Sequence, residues 1–234
     1  MSTYLEYLQS ITTAKTFSRK LDYIRYNFKK YFRFQNTSDV SILEIGPGLG
    51  ESVSYFNRMG YHHIDIIDND DSILAYIQNT FKINTTFKAT DLGNIDTALG
   101  TYDVIICTQV LEHIPLDQYK PFLSTLFAHL KKDGHMIITV PNMANPFTLF
   151  ERYGDITHTN GFTDNSLKEL IAMCDIHAAT VTVNGFHIPP YSILQIVRIG
   201  FQKLLHFMIL MMSIANGGGY SKLLTPNITL AVKK

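Results

Sequence analysis

The sequence predicts a doubly wound α/β domain built on a mostly parallel sheet, and three features predict it. Five short apolar runs alternate with segments of helical period between residues 41 and 140. A loop with glycine at 46, 48 and 50 follows the first run directly, and Asp68 closes the second. Strands joined through helices must cross over and lie parallel, which gathers their carboxyl ends along one rim where ligands bind.

In chain order, residues 1–37 carry Tyr4, Leu5, Leu8, Ile11, Phe17, Leu21, Ile24 and Phe28 at near-helical spacing, which predicts one or two amphipathic helices. The runs at 41–45, 63–67, 84–89, 102–107 and 135–140 read as strands, and 50–59, 71–81 and 117–131 between them as helices. A helix at 164–174 leads to a strand near 178–184, and 227–232 supplies the last strand. Between these two strands Ile193 to Ala215 forms a long apolar helix, ended by Asn216-Gly-Gly-Gly-Tyr220. With 234 residues and 46% apolar content the chain can bury one enlarged core, so 1–234 reads as a single domain.

The glycine loop and Asp68 together suit a nucleoside. Glycines let the backbone turn sharply and approach a ligand that any Cβ would push away, while a carboxylate at the tip of the second strand can accept hydrogen bonds from both ribose hydroxyls. The spacing is G-x-G-x-G rather than the dinucleotide G-x-G-x-x-G, and Glu51 follows at the helix start. A carboxylate there competes with a pyrophosphate for the same N–H groups. Glu44, just before the glycines, suits a cation, so the loop points to an uncharged ribose carrying a sulfonium.

The motif Val40-Ser-Ile-Leu-Glu-Ile-Gly-Pro-Gly-Leu-Gly50 resembles the first motif of class I S-adenosylmethionine-dependent methyltransferases. Ile64 to Asp68 matches that family's second strand, Asp91-Leu92 its adenine-side acid, Tyr102 to Ile114 its fourth-strand motif, and Leu130 to Pro141 the turn and fifth strand. The resemblance covers about residues 40–142. It implies a Rossmann-like, seven-stranded sheet whose last strand is antiparallel, with N-terminal helices and a C-terminal helical insertion. It also implies S-adenosylmethionine as cofactor, held by Glu44, Gly46, Pro47, Gly48, Gly50, Asp68, Asn69, Asp91, Leu92, Gln109 and Glu112. On this reading residues 1–37 form a helical cap and 38–142 the cofactor core. Residues 143–234 then hold the acceptor loops, the insertion at 186–220 and the final strand.

The acceptor is expected outside the cofactor half, where Tyr153-Gly-Asp-Ile-Thr-His-Thr-Asn-Gly-Phe-Thr163 follows the fifth strand. Its Asp-x-Thr-His element resembles that of bacterial methyltransferases of polysaccharide and quinone pathways. Methylation of an alcohol needs a base for the hydroxyl proton, and a histidine of pKa about 6.5 suits neutral pH. His158, oriented by Asp155, is the first candidate and His113 the second. The alternative is that either histidine only anchors its loop. Asp155 and His158 with His113 or Glu112 could also supply metal donors, but nothing in the sequence enforces ligand geometry, so no metal is assigned.

The resulting expectation is an O-methyltransferase acting on a small-molecule or carrier-linked glycan acceptor, a sugar of a surface polysaccharide before other choices. A quinone or lipid-like acceptor is the enzymatic alternative, and a catalytically silent binding subunit the alternative of another class. A dehydrogenase lacks its third glycine position and a Tyr-x-x-x-Lys relay. Nucleic-acid methylation is disfavoured because no Asn/Asp-Pro-Pro-Tyr/Phe element follows strand four and the chain beyond residues 1–37, which hold seven Lys and Arg against two acids, is net acidic.

Neither Cys107 nor Cys174 suggests a disulfide or a metal knuckle, and the N-terminus lacks a signal-peptide pattern, so a cytoplasmic protein is expected. In the long helix, Gln195, Arg198, Gln202, His206 and Ser213 recur at helical spacing as a narrow polar stripe. Packing on the core, on the N-terminal helices or in a homodimer is the first expectation for this helix. Peripheral membrane contact is the second.

Overall fold

The computed structural model describes residues 4–32, 34, 36–89, 99–217 and 219–234. Seven strands form one sheet in the order β3-β2-β1-β4-β5-β7-β6. They are β1 (Ser41–Ile45), β2 (His63–Asp68), β3 (Thr85–Lys88), β4 (Tyr102–Thr108), β5 (Leu130–Pro141), β6 (Thr180–Gly185) and β7 (Asn227–Lys233). The first five pair in parallel, and β7 runs antiparallel between β5 and β6. The order reverses between β1 and β4, so their carboxyl ends open the crevice that holds the site.

Alternation along the central strands builds two apolar layers, because successive side chains of a strand point to opposite faces. Val104 and Ile106 of β4 join the layer under α2 (Ala14–Phe28), α3 (Glu51–Arg58) and α4 (Asp71–Thr80). Ile105 and Cys107 join the layer under α5 (Tyr119–Ala128) and α7 (Asp164–Met173). Both cysteines are buried and free.

The N-terminal segment is two helices, α1 (Tyr4–Ile11) and α2, joined at Thr13 by a capping box in which Thr13 and Thr16 bond each other's backbone N–H. Such a cap contributes about 1 kcal/mol. Leu21, Ile24 and Phe28 of α2 are buried, whereas no residue of α1 is.

Three differences from the expected elements have local causes. Strand β5 begins at Leu130, and α5 ends at Ala128 instead of reaching 131. Asp103 of β4 holds Lys131 at 2.8 Å, drawing the segment into the sheet, and the register shifts between Tyr102 and Val104. Within that irregularity Gly134 leaves no room for a Cβ, which would stand 2.9 Å from two carbonyl oxygens. The short helix α6 (Leu149–Gly154) was not anticipated, being too brief for a periodic signal.

The third difference is the largest. Helix α8 (Ile193–Ala215) forms as expected but covers the domain only along one side; Ile209 is its one buried residue. Gln195, Gln202, His206 and Ser213 lie half-buried toward the domain together with Ile199, Leu205 and Leu210, while Arg198 and most of the other apolar side chains are exposed. The helix is apolar over most of its circumference, so a contact with the domain along one side leaves much of that surface exposed.

Candidate active site

Strand β1 ends in Gly46-Pro-Gly-Leu-Gly50, and the three glycines take φ of +67°, +55° and +79°. A Cβ on Gly46 would stand 2.3 Å from Val110 and one on Gly50 2.3 Å from Phe81, so these positions are fixed by packing. Gly48 is different. A Cβ there would meet only the Glu51 carboxylate, at 3.9 Å, and would project toward a cavity of about 450 Å³ lined by Glu44, Gly46–Leu49, Ser52, Thr108, Gln109, Thr139 and Asn227.

Glu44 is buried, and its Oε2 has no hydrogen-bond partner among the described residues. Burial pushes its carboxyl up to about 8, against the pull of the Ser52 hydroxyl. A buried acid with an unused oxygen on a cavity wall is the complement of a cationic ligand. Asp68 ends β2 half-buried; desolvation raises its pKa, while the backbone N–H groups of Asn69 and Asp70 pull the other way. The Asp70 N–H reaches its Oδ1 at 2.9 Å, and Asn69 is exposed. Gln109 takes φ +56° and donates through Nε2 to Asn227 Oδ1 at 3.3 Å, which ties the end of β4 to β7. Asp91 and Leu92 lie outside the described residues.

The cap closes this cavity from above. Tyr4, Leu8, Thr12, Lys20 and Ile24 line it, and Lys20 Nζ bonds Glu51 Oε1 at 2.6 Å, tying α2 to the first turn of α3. The Tyr4 hydroxyl has its pKa raised by burial first, then by the charges of Asp155 and Asp68. Tyr4 thus lines the cavity within reach of the charges of both Asp68 and Asp155. The general amphipathic pattern foretold helices here; which residues reach the cavity was not readable.

The acceptor side gathers around the short turn Leu111–His113. The hydroxyl of Thr157 donates to Asp155 Oδ1 at 2.6 Å, and the same oxygen lies 2.9 Å from His113 Nδ1. A carboxylate can only accept, so Thr157 spends its proton on Asp155 and accepts from His113 Nδ1–H. That leaves Nε2 as the basic nitrogen of neutral His113. Burial and the nearby His158 lower the His113 pKa, in that order. His158 packs edge-on against His113 with ring centroids 4.6 Å apart, and its Nε2 is 4.0 Å from Asp155 Oδ2, beyond hydrogen-bond reach. Asp155 thus reaches His113 through Thr157, while His158 stands at ion-pair distance from the same carboxylate.

Glu112 is buried beside them, and neither carboxylate oxygen has a partner on another described residue. Burial first, then the charges of Glu151 and Asp155, push it up to about 8. Ligand atoms of Glu112, His113 and His158 lie within 4.8 Å of one another. None of the three lines the 450 Å³ cavity; Glu151 of α6 does, and its charge helps raise the Glu112 pKa, so it lies between the two. Glu151, Thr157, Thr139 and Asn227 were missed in the sequence, since each reaches the site from a separate element. Thr157 alone carried a signal, standing inside the Asp-x-Thr-His element.

A glycine cradle, a buried acid facing it and a ribose-side carboxylate, set at the switch point of this sheet, are the fold and cofactor cleft of an S-adenosylmethionine-dependent methyltransferase. The chain belongs to the methyltransferase-domain family, whose model matches residues 14–173. A ubiquinone biosynthesis O-methyltransferase of Rickettsia bellii is 30% identical over 127 residues, 53% of this chain and 50% of that protein. A Rickettsia typhi protein of the same name is 28% identical over 139 residues, 56% of this chain and 52% of its own. The chain spans about half the length of the curated relatives it matches. Among solved structures, a SAM-dependent methyltransferase from Archaeoglobus fulgidus superposes over 100% of both chains with a TM-score of 0.70 at 16% identity. A plantazolicin methyltransferase in complex with SAH covers 98% of this chain and 90% of its own, with TM-score 0.61 and 16% identity. These two likenesses concern the fold.

Proposed function

We propose that the chain methylates a hydroxyl on an apolar, quinone-type acceptor. The observation that carries this reading is the Asp155–Thr157–His113 relay beside an exposed apolar surface. Phe150, Tyr153 and Ile156 are 83%, 77% and 99% exposed next to that relay, with Leu116 at 69%. A sugar acceptor calls for a cleft of paired polar groups. An apolar rim suits a ring with a hydrocarbon tail, and the curated relatives are named for ubiquinone biosynthesis. The sugar read from the Asp-x-Thr-His element therefore ranks second. Tyr153 and Phe150 would stack on either ring.

Bound S-adenosylmethionine supplies a methyl group already activated on a sulfonium. The residues that would hold it are Glu44, the Gly46–Gly50 loop, Asp68 and Gln109. What remains for the protein is alignment, which can be worth several kcal/mol, and removal of one proton. His113 takes the hydroxyl proton at Nε2, while Asp155 through Thr157 holds its ring and stabilises the imidazolium. The cap helices, with Tyr4 across the opening, keep water from the cleft.

A second reading has its own observation. Three donors within 4.8 Å could hold a divalent ion that acidifies the acceptor hydroxyl instead of a histidine removing its proton. The test is methyl transfer from labelled S-adenosylmethionine to a demethylated polyprenyl phenol, to a nucleotide sugar and to a lipid-linked glycan, with and without EDTA. Turnover of the phenol, undiminished by EDTA and lost in His113→Ala, supports the first reading. Loss with EDTA, restored by Mn²⁺, favours the ion. Turnover of the glycans alone would overturn the choice of acceptor.

A further inference from the structure

Helix α8 presents the wrong face to water. Of its large apolar side chains, Ile193 and Leu194 are 82% exposed, Phe201 70% and Met212 64%. Its 23 residues are apolar enough on average to cross a membrane, and only 6% of the most apolar window is buried. Most of its polar stripe is turned inward, where Gln202, Lys203 and His206, with Ile199, meet His187, Lys222 and Tyr26 around a cavity of about 280 Å³, while Arg198 is exposed. In water this arrangement exposes far more apolar surface than monomeric proteins usually tolerate.

Spanning is excluded by where the ends go. At about 1.5 Å per residue the helix is roughly 34 Å long, enough for a hydrocarbon core of about 30 Å. Its N-terminal end is fixed to the domain through Phe186, whose N–H bonds Asn227 O at 2.9 Å, and through Tyr191, which packs on Tyr26 of α2. Its C-terminal end returns to β7 at Asn227 of the same sheet. A spanning α8 would have to bring Asn216 to Pro226 back through the hydrocarbon as extended chain with unpaired backbone groups, which bilayers do not allow. The helix can only lie along the surface.

Charge identifies the surface. From Ile176 to Lys234 the chain contains no Asp or Glu, against Arg198, Lys203, Lys222, Lys233 and Lys234. Arg25 of α2 lies over the Tyr191 ring at 5.9 Å, and Lys30 is close enough to His187 to lower its pKa, after burial. The inward cavity carries two lysines and no carboxylate among its lining residues. Exposed apolar side chains flanked by cations that can snorkel match an anionic bilayer, apolar face in the acyl region and lysines at the phosphates.

We propose that α8 is an in-plane membrane anchor that docks the enzyme on anionic lipid, and that the Lys203–Lys222 cavity beneath it receives a lipid phosphate. Docking and acceptor identity are separable, because the first can be read without turnover.

The experiment is co-sedimentation of the full chain with vesicles of phosphatidylcholine alone and of phosphatidylcholine with phosphatidylglycerol, at low and high salt. Wild type is expected to bind the anionic vesicles at least tenfold more tightly, with part of that preference lost in high salt. Phe201→Glu with Leu194→Glu should abolish binding to both vesicles, while Lys203→Glu with Lys222→Glu should remove only the anionic preference. Binding of S-adenosylhomocysteine should stay unchanged in both variants, which shows that they fold. Equal sedimentation of wild type and the Phe201→Glu, Leu194→Glu variant would overturn the proposal. So would a vesicle-indifferent wild type whose α8 is covered in a dimer that the same variant dissociates.

Discussion

The cofactor end and the acceptor end of the cleft each bury one glutamate, and the two differ in what surrounds it. Glu44 has a single unpartnered oxygen facing a shaped cavity, with Ser52 on its other side. Glu112 has two unpartnered oxygens, among His113, His158 and the charge of Glu151. Burial brings both carboxyls to about 8. The first is completed by a cationic ligand whose position the glycine loop dictates. The second sits among groups that titrate together, so its charge depends on what the acceptor loop holds. On the proposed reading, one end binds and the other moves charge.

The largest effect expected from this contrast lies at the acceptor end. Thr157→Val should cut kcat by roughly a hundredfold or more by releasing His113 from Asp155, with binding of S-adenosylhomocysteine unchanged. Equal losses in His158→Ala with a normal Thr157→Val would shift the base to His158. At the cofactor end Asp68→Ala should weaken S-adenosylhomocysteine by about a hundredfold in calorimetry, since two charge-assisted hydrogen bonds are lost, and leave the melting temperature of the free protein nearly unchanged.

Proton linkage separates the two glutamates further. If a bound cation keeps Glu44 ionised, binding releases its proton below about pH 8. Affinity for S-adenosylmethionine, which carries the sulfonium, should then rise with pH by up to about tenfold per unit and flatten near 8. Glu44→Gln should flatten the whole profile, and a pH-independent wild type would show that Glu44 does not meet the ligand's charge.

The smallest effect concerns stability. Glu112 titrates near 8 when folded and near its ordinary value of 4.5 when unfolded, so its neutral form favours folding at low pH. That contribution is complete below about 4.5 and is lost as pH rises through 8. Thermal melts should therefore show Glu112→Gln gaining a few degrees over wild type at pH 8.5 and little at pH 5.

The sequence by itself determined the sheet and the cofactor rim. Strand-length apolar runs and glycine spacing are local signals, because a strand's period and a left-handed turn are fixed by a few adjacent residues. Ser41–Ile45, His63–Asp68 and Asn227–Lys233 fall within a residue of expectation for that reason. Even α8 was legible as a helix with a polar stripe.

Only the tertiary structure decided what those elements face. The stripe of α8 could have pointed to water or to the domain, and helical period cannot tell which side a partner occupies. The same holds for the acceptor loop. Asp155 and His158 were visible in one motif, but the hydroxyl of Thr157 commits its proton to Asp155 and so takes as its donor His113, 44 residues earlier in the chain. That choice follows from hydrogen-bond geometry between two loops, which spacing along a sequence does not encode.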